Sequence, residues 1–125
     1  MKQIIKEGNF IPTNDIKFAM DNSEFILVVV PTPIKEDHTP DLGCVMSAGE
    51  LISPHLRKGH IVILESTVYP GVTEDVLKPI LDRSGLKTPE DYGLAYVPER
   101  VNPGDSEHSV SKVARIVGAN TPELA

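Results

Sequence analysis

The sequence feature that most constrains the fold is an apolar run followed directly by a turn rich in hydroxyl groups. Residues 60–64 read His-Ile-Val-Ile-Leu, a β-branched run without helical periodicity, and predict a buried strand. Residues 65–71 follow as Glu-Ser-Thr-Val-Tyr-Pro-Gly, and residues 73–83 then predict a helix. A strand that turns directly into a helix is typical of α/β folds, in which ligands bind at the carboxyl ends of the strands.

Two similar runs extend this pattern along the chain. Residues 24–30 do not alternate with polar residues, so they predict a central parallel strand that is buried on both faces. Residues 92–97 predict a third strand, and residues 112–118 a weaker fourth strand of undetermined direction. Helix-length links between strands favour right-handed parallel crossovers. The sequence therefore predicts an α/β fold, a Rossmann-type doubly wound parallel sheet, with its first three strands adjacent in chain order.

The helix predicted between the first two strands, over residues 41–57, carries one apolar stripe. Asp41 should cap it, and Pro54 should kink it or end it early near Ser53. The stripe, at helical spacing, consists of Leu42, Val45, Gly49, Ile52 and Leu56. Shorter helices are expected to end at Gly8, to span residues 16–21 and to begin near Thr121.

Composition excludes several classes of function. The chain has 125 residues and a formal net charge of −6, which argues against binding a nucleic-acid backbone. Its single cysteine allows no internal disulfide framework, and its four histidines lack metal-ligand spacing. The apolar run at residues 25–30 is too short to cross a bilayer, and the first residues lack a signal-peptide core. We therefore expect a cytoplasmic protein without a metal, a nucleic-acid partner or a membrane anchor.

The adjacent hydroxyls of Ser66 and Thr67 allow two interpretations. They and the N–H groups of the following turn could meet a ligand at the sheet edge. They could equally cap the next helix or satisfy nearby backbone groups. These residues alone leave both interpretations open.

Three strand ends together carry a family resemblance. They are Val-Pro-Thr-Pro at residues 30–33, Glu-Ser-Thr-Val-Tyr-Pro-Gly at 65–71 and Val-Pro-Glu-Arg-Val-Asn-Pro-Gly at 97–104. In this order the chain resembles the UDP-glucose/GDP-mannose dehydrogenase family of nucleotide-sugar 6-dehydrogenases. The Pro-Glu-Arg sequence is most similar to the branch that acts on UDP-N-acetylmannosamine or UDP-N-acetylglucosamine.

The resemblance implies an NAD-dependent enzyme that oxidises the C6 alcohol of a UDP-sugar to the carboxylate in two hydride transfers, usually as a homodimer. It implies catalytic roles for Thr67 and Glu99, the latter assisting hydrolysis of a thioester intermediate, and a substrate contact for Arg100. The cofactor-binding residues that it implies are Pro31, Thr32, Ser66, Thr67 and Glu99. Two alternatives stay open. Residues 31–33 could only terminate a strand, and Glu99 with Arg100 could form a surface ion pair of little energetic value.

Some parts of the family pattern are absent from this sequence. There is no Gly-x-Gly-x-x-Gly and no Gly-Gly-His-Cys segment, so we expect the middle and C-terminal part of an N-terminal NAD-binding domain. The first βαβ unit should be missing and the 125-residue chain alone inactive. Cys44 lies on the first long helix and is expected to be a buried, inert thiol rather than the nucleophile. The rival hypotheses are a short-chain or 3-hydroxyacid type of dehydrogenase domain and a non-catalytic binding or assembly module.

Overall fold

A computed structural model describes residues 2–100 and 113–125 and shows a four-stranded sheet at the centre of the chain. The strands are β1 (Phe25–Val28), β2 (Ile61–Leu64), β3 (Gly93–Tyr96) and β4 (Gly118–Ala119). They lie in the order β1-β2-β3-β4, with β1, β2 and β3 parallel and β4 antiparallel to β3. The predicted order and direction of the first three strands are therefore confirmed, as is the α/β fold class.

The α-helices are short; two precede β1 and two connect the parallel strands. They are α1 (Lys2–Lys6), α2 (Ile16–Asp21), α3 (Gly43–Ile52) and α4 (Lys78–Leu81). A 3₁₀ turn at Ser53–His55 continues α3, as Pro54 predicts. A π-helical segment, Val72–Leu77, leads into α4, and a 3₁₀ turn at Asp82–Ser84 follows it. The helix predicted over residues 73–83 is thus present, although three helical geometries share it.

The core lies between one face of the sheet and the two long helical segments. Val45 and Ile52 of α3 pack with Leu77 and Leu81 against the buried side chain of Leu64 in β2. This arrangement confirms the predicted apolar stripe, and it places α3 and α4 on the same face of the sheet.

Gly49 permits the close approach of the two helical segments. A Cβ on Gly49 would lie 2.9 Å from Leu77 Cδ1 and 3.1 Å from Ile80 Cγ2. At the N-terminal end of α3, the Asp41 carboxylate accepts a hydrogen bond from the Gly43 N–H at 2.8 Å, as the sequence suggests. Asp41 lies one residue before the N-cap Leu42, so the cap geometry is shifted by one position.

The prediction that residues 24–30 are buried on both faces is wrong for the described chain. Val28 is buried, but Phe25, Leu27 and Val29 are 55%, 53% and 67% exposed. The reason is position, because β1 is the edge strand of the described sheet and α3 and α4 cover only one of its faces. An unalternating apolar run cannot report whether both of its faces are covered within the same chain.

The expected burial of Cys44 is also wrong, since its side chain is exposed. Cys44 precedes the buried Val45 by one position, and one helical step of about 100° turns it away from the core. Its placement on α3 is confirmed.

The C-terminal elements differ from the predictions in extent. Residues 113–117 form no strand, β4 covers only Gly118–Ala119, and residue 112 lies outside the described residues. The helix expected near Thr121 is a turn, in which Leu124 N–H donates to Thr121 C=O at 3.2 Å. Leu124 covers β3, since a Cβ on Gly93 would lie 2.7 Å from Leu124 Cδ1.

Candidate active site at the carboxyl edge of the sheet

The three parallel strands end side by side and stay paired just beyond their last residues. The Glu65 N–H donates to Val28 C=O and the Val97 N–H donates to Leu64 C=O, each at 3.0 Å. The segments that follow β1, β2 and β3 therefore leave from one edge of the sheet. This is the edge at which open α/β sheets bind ligands.

Ser66 joins the ends of β1 and β2. Its hydroxyl accepts a hydrogen bond from the Val30 N–H and donates to the Val30 C=O, both at 2.8 Å. Its side chain is only 6% exposed. The geometry therefore supports the second interpretation, in which this hydroxyl satisfies backbone groups, here those at the end of the neighbouring strand. A direct cofactor contact by Ser66 stays a prediction.

Thr32 and Thr67 bring two of the sequence motifs into contact. The Thr32 hydroxyl donates to the Thr67 C=O at 2.7 Å, across 35 residues of chain. The Thr67 side chain is exposed, and its hydroxyl makes no hydrogen bond within the described part of the chain. Pro31 directly precedes Thr32 in the same exposed segment. One threonine thus fixes the edge while the other presents a hydroxyl that can meet a ligand.

The turn after Thr67 supplies further donors. No hydrogen bond is found for the backbone N–H groups of Thr67, Val68 and Tyr69 among residues 2–100 and 113–125. The turn closes at Gly71, whose φ of 96° lies in the left-handed region that favours glycine. A hydroxyl and several N–H groups at this edge suit the polar groups of a dinucleotide such as NAD.

Glu99 belongs to the same edge. Its Oε2 lies 3.7 Å from Arg115 Nη2, and Arg115 Nη1 lies 3.0 Å from Oε1 of Glu65. Glu65 is the first residue after β2, so Arg115 connects the segments that follow β2 and β3. Glu99 therefore lies at the same edge of the sheet as the motif that follows β2.

Arg100 contacts Glu99 through its backbone rather than through the surface ion pair that the sequence allows. It is exposed, and its backbone N–H donates to Glu99 Oε1 at 2.7 Å. The described ion pair of Glu99 is with Arg115, a residue that the sequence motifs do not single out. A substrate contact for Arg100 stays a prediction.

An ionisable group with a strongly perturbed pKa, Tyr92, lies at the other end of β3. Burial, together with the hydrogen bond to Asp82 at 3.0 Å, raises the pKa of Tyr92. Tyr92 is 1% exposed and directly precedes β3, so this pair anchors the far edge of the sheet to the helix layer. Its role is structural.

A cavity beside the sheet lies next to the candidate site rather than in it. It has a volume of about 530 Å³ and opens between the turn after β2 and the β3–β4 pair. Its lining includes Tyr69, Glu74 and Asn120 but none of Thr32, Thr67 and Glu99.

Within the described ranges, no three His, Cys, Asp or Glu side chains are placed to hold a metal. No helix of that same part is long and apolar enough to cross a membrane.

Three parallel strands with hydroxyl, N–H and carboxylate groups gathered at their carboxyl ends define the class of α/β nucleotide-binding domains. Comparison with known proteins narrows that class. The sequence matches the description "UDP-glucose/GDP-mannose dehydrogenase family, NAD binding domain" over residues 1–125. The chain therefore belongs to the UDP-glucose/GDP-mannose dehydrogenase family, through its NAD-binding domain.

Individual relatives agree with this assignment. The chain is 51% identical over 100 residues to a UDP-N-acetyl-D-glucosamine 6-dehydrogenase of Pseudomonas aeruginosa, covering 79% of this chain and 24% of that protein. It is 43% identical over 123 residues to a UDP-N-acetyl-D-mannosamine dehydrogenase of Escherichia coli (strain K12), covering 93% and 29%.

A solved structure supports the fold at similar coverage. An NDP-N-acetyl-D-galactosaminuronic acid dehydrogenase from Methanosarcina mazei Go1 superposes with a TM-score of 0.86 at 32% identity, covering 96% of this chain and 26% of that one. The chain thus spans about a quarter of the length of the relatives that it matches.

Proposed function

We propose that the chain is the middle and C-terminal part of the NAD-binding domain of an NAD-dependent UDP-sugar 6-dehydrogenase. The observation that carries the proposal is the contact between Thr32 and Thr67, which joins two family motifs at the carboxyl edge of the sheet. The relatives' names favour a UDP-linked N-acetylhexosamine as substrate, either N-acetylglucosamine or N-acetylmannosamine. The higher identity is to a relative named for the glucosamine compound.

The overall reaction converts a C6 alcohol and water into a carboxylate. Two hydrides leave the sugar carbon, each accepted by one NAD⁺, and three protons are released. In the proposed sequence the aldehyde formed first is attacked by a cysteine thiol from elsewhere in the complete protein. A second hydride transfer gives a thioester, whose C–S bond breaks when water adds, which returns the thiol and yields the carboxylate.

The residues of this chain have separate roles in the proposal. Pro31 and Thr32 line the cofactor cleft, with Ser66 supporting them from inside the sheet. Thr67 presents its exposed hydroxyl to the reacting centre, where it orders a water or a proton path. Glu99, a carboxylate at the sheet edge, acts as the base that assists hydrolysis of the thioester. Arg100 contacts the substrate.

The direct test is turnover by the complete enzyme. NADH formation is measured with UDP-N-acetylglucosamine, UDP-N-acetylmannosamine and UDP-glucose. Thr67→Ala and Glu99→Gln should lower kcat by about 10²–10⁴-fold, the effect of losing an acid-base group, with weaker effects on NAD binding. Glu99→Gln should in addition accumulate a covalent adduct of the enzyme that mass spectrometry detects.

A matched control for Glu99→Gln comes from the opposite edge of the sheet. Glu90→Gln changes the same residue type just before β3. This control should keep nearly the full rate. Full-rate turnover by Thr67→Ala or Glu99→Gln would remove that residue from the site, and absence of NADH with all three sugars would reject the proposed substrate class.

The assembly and the compartment of the complete enzyme are part of the proposal. A homodimer in the cytoplasm, with a UDP-sugar and NAD as its partners, follows from family resemblance. Light scattering of the purified complete enzyme tests the dimer, and a monomer at assay concentrations would contradict it.

A further inference from the structure

Arg115 reaches the candidate site because β4 runs antiparallel to β3. In the β3–β4 pair, Ala95 lies opposite Ala119 and Tyr96 opposite Gly118. Continuing this register beyond the strand ends brings Glu99 opposite Arg115. Because β4 runs away from the edge at which β3 ends, the residues just before β4 lie at that edge, and Arg115 places a cation opposite the proposed base.

The guanidinium of Arg115 holds two carboxylates from different strand ends. Its Nη1 lies 3.0 Å from Glu65 Oε1 and its Nη2 lies 3.7 Å from Glu99 Oε2. The Glu65 backbone is itself fixed, since its N–H donates to Val28 C=O at 3.0 Å. Arg115 thus connects Glu99 to a position that is held by the sheet.

The exposure of these three side chains indicates that their ion pairs contribute to the position of Glu99 rather than to the stability of the fold. The Arg115 and Glu99 side chains are 39% and 49% exposed, and the Glu65 side chain is 22% exposed. Exposed ion pairs contribute only about 0–1 kcal/mol to folding. A glutamate side chain that samples several rotamers is correctly placed for only part of the time, which lowers the rate at which it can act on a bound intermediate. A fixed partner such as Arg115 therefore affects kcat more than it affects stability.

We propose that Arg115 is a positioning residue, which holds the Glu99 carboxylate at the sheet edge through a bridge to Glu65. This inference rests on the proposed function, in which Glu99 assists thioester hydrolysis. Arg115 itself touches neither the reacting atoms nor the cofactor in this scheme. It acts through Glu99.

The test is a double-mutant cycle in the complete enzyme. Arg115→Gln should lower kcat by about 10–10²-fold, the scale of a misplaced catalytic group, with little change in KM for NAD or the UDP-sugar. It should also accumulate the same covalent adduct as Glu99→Gln in mass spectrometry. In a Glu99→Gln background, Arg115→Gln should cause no further loss, because the group that it positions is already gone. Arg115→Lys should restore part of the rate.

A matched control removes an equivalent ion pair elsewhere. Arg83 lies 3.6 Å from Glu50 on the helix layer, with side chains 64% and 56% exposed. Arg83→Gln should leave kcat and the adduct level unchanged, and thermal melting of each variant reports folding.

The outcomes distinguish the two hypotheses. If Glu99→Gln is impaired while Arg115→Gln turns over at the full rate, only the positioning role falls. If Arg115→Gln lowers kcat equally in both backgrounds, or accumulates no adduct, Arg115 acts on another group and the inference is overturned. If Glu99→Gln itself turns over at the full rate, the role of Glu99 falls and the inference falls with it. Should Arg115→Gln fail to fold, Arg115→Lys and Glu65→Gln carry the same cycle, and additive effects with Glu99→Gln would overturn the inference.

Discussion

Ser66→Ala should loosen the end of β1 without disturbing the rest of the sheet. The substitution removes the hydroxyl that accepts from the Val30 N–H and donates to the Val30 C=O, both at 2.8 Å. Each net hydrogen bond contributes about 1 kcal/mol, and a buried group left without a partner costs about 1–3 kcal/mol. Val30 is only partly buried, so water recovers some of this loss. We therefore expect a local destabilisation of about 1–2 kcal/mol.

Hydrogen exchange of the complete protein measures this local effect. A destabilisation of one to two kcal/mol corresponds to about 5–30-fold faster opening. Exchange in peptides covering residues 25–32 should therefore accelerate by that factor, while peptides covering residues 93–97 should change little. Because Thr32 lies two residues beyond Val30, KM for NAD should rise as well.

Ser53→Ala is the matched control for this substitution. Ser53 is also 6% exposed, but its hydroxyl makes one longer hydrogen bond, to the Leu81 C=O at 3.3 Å. Its loss should cost about 0.5–1 kcal/mol and leave residues 25–32 unaffected. If Ser66→Ala changes exchange at residues 25–32 no more than Ser53→Ala does, Ser66 does not hold the two strand ends together.

Three further expectations concern other parts of the chain. Because Cys44 is exposed, Cys44→Ser should change the free energy of unfolding by no more than about 0.5 kcal/mol and leave catalysis intact. For the same reason, Cys44 should react with a thiol reagent in the folded enzyme. The 125-residue chain alone should form no NADH with either UDP-N-acetylhexosamine; turnover above background would contradict the fragment hypothesis. Desolvation raises the pKa of Asp82, but hydrogen bonds from Lys78, Tyr92 and Lys87 outweigh it, so the pKa lies below its usual 3.8. The ionised Asp82 therefore stabilises the fold above pH 3.8, and this stabilisation is lost as the pH falls through the lowered folded-state pKa. The urea midpoint of Asp82→Asn should therefore fall less on acidification than the midpoint of the parent protein. An equal fall in both proteins would count against this assignment.

The parallel part of the fold was predictable because its signals are local. The apolar runs at residues 24–30, 60–64 and 92–97 each mark a strand, and the helix-length links between them determine order and direction. The stripe containing Val45 and Ile52 likewise predicts which side of α3 is buried. Patterns of this kind indicate which helix or strand a residue belongs to, which the structure confirms for the three strands, and they indicate the buried side of α3, which it also confirms.

What could not be predicted depends on neighbours that periodicity does not identify. The exposed face of β1 reflects the absence of a covering element in the described chain, which no run of side chains can reveal. Cys44 is different, because its exposure follows from the helical period, one step before the buried Val45, and the expectation of burial did not apply that period. Arg115 lies in a segment with weak strand character, and only the antiparallel direction of β4 places it beside Glu99.

The alternation of side chains along β2 explains how one short motif serves both structure and chemistry. Leu64 is buried under the helices and Ser66 faces the same interior, where its hydroxyl is used by Val30. Glu65 leaves on the opposite side, as successive residues of an extended segment do, and meets Arg115 there. The hydroxyl of Ser66 therefore joins two strands, whereas the side chains of Glu65 and the exposed Thr67 lie at the sheet edge and can contact other groups there. The chemistry of this edge is accordingly expected to depend on Thr67 and Glu99, and its geometry on Ser66, Glu65 and Arg115.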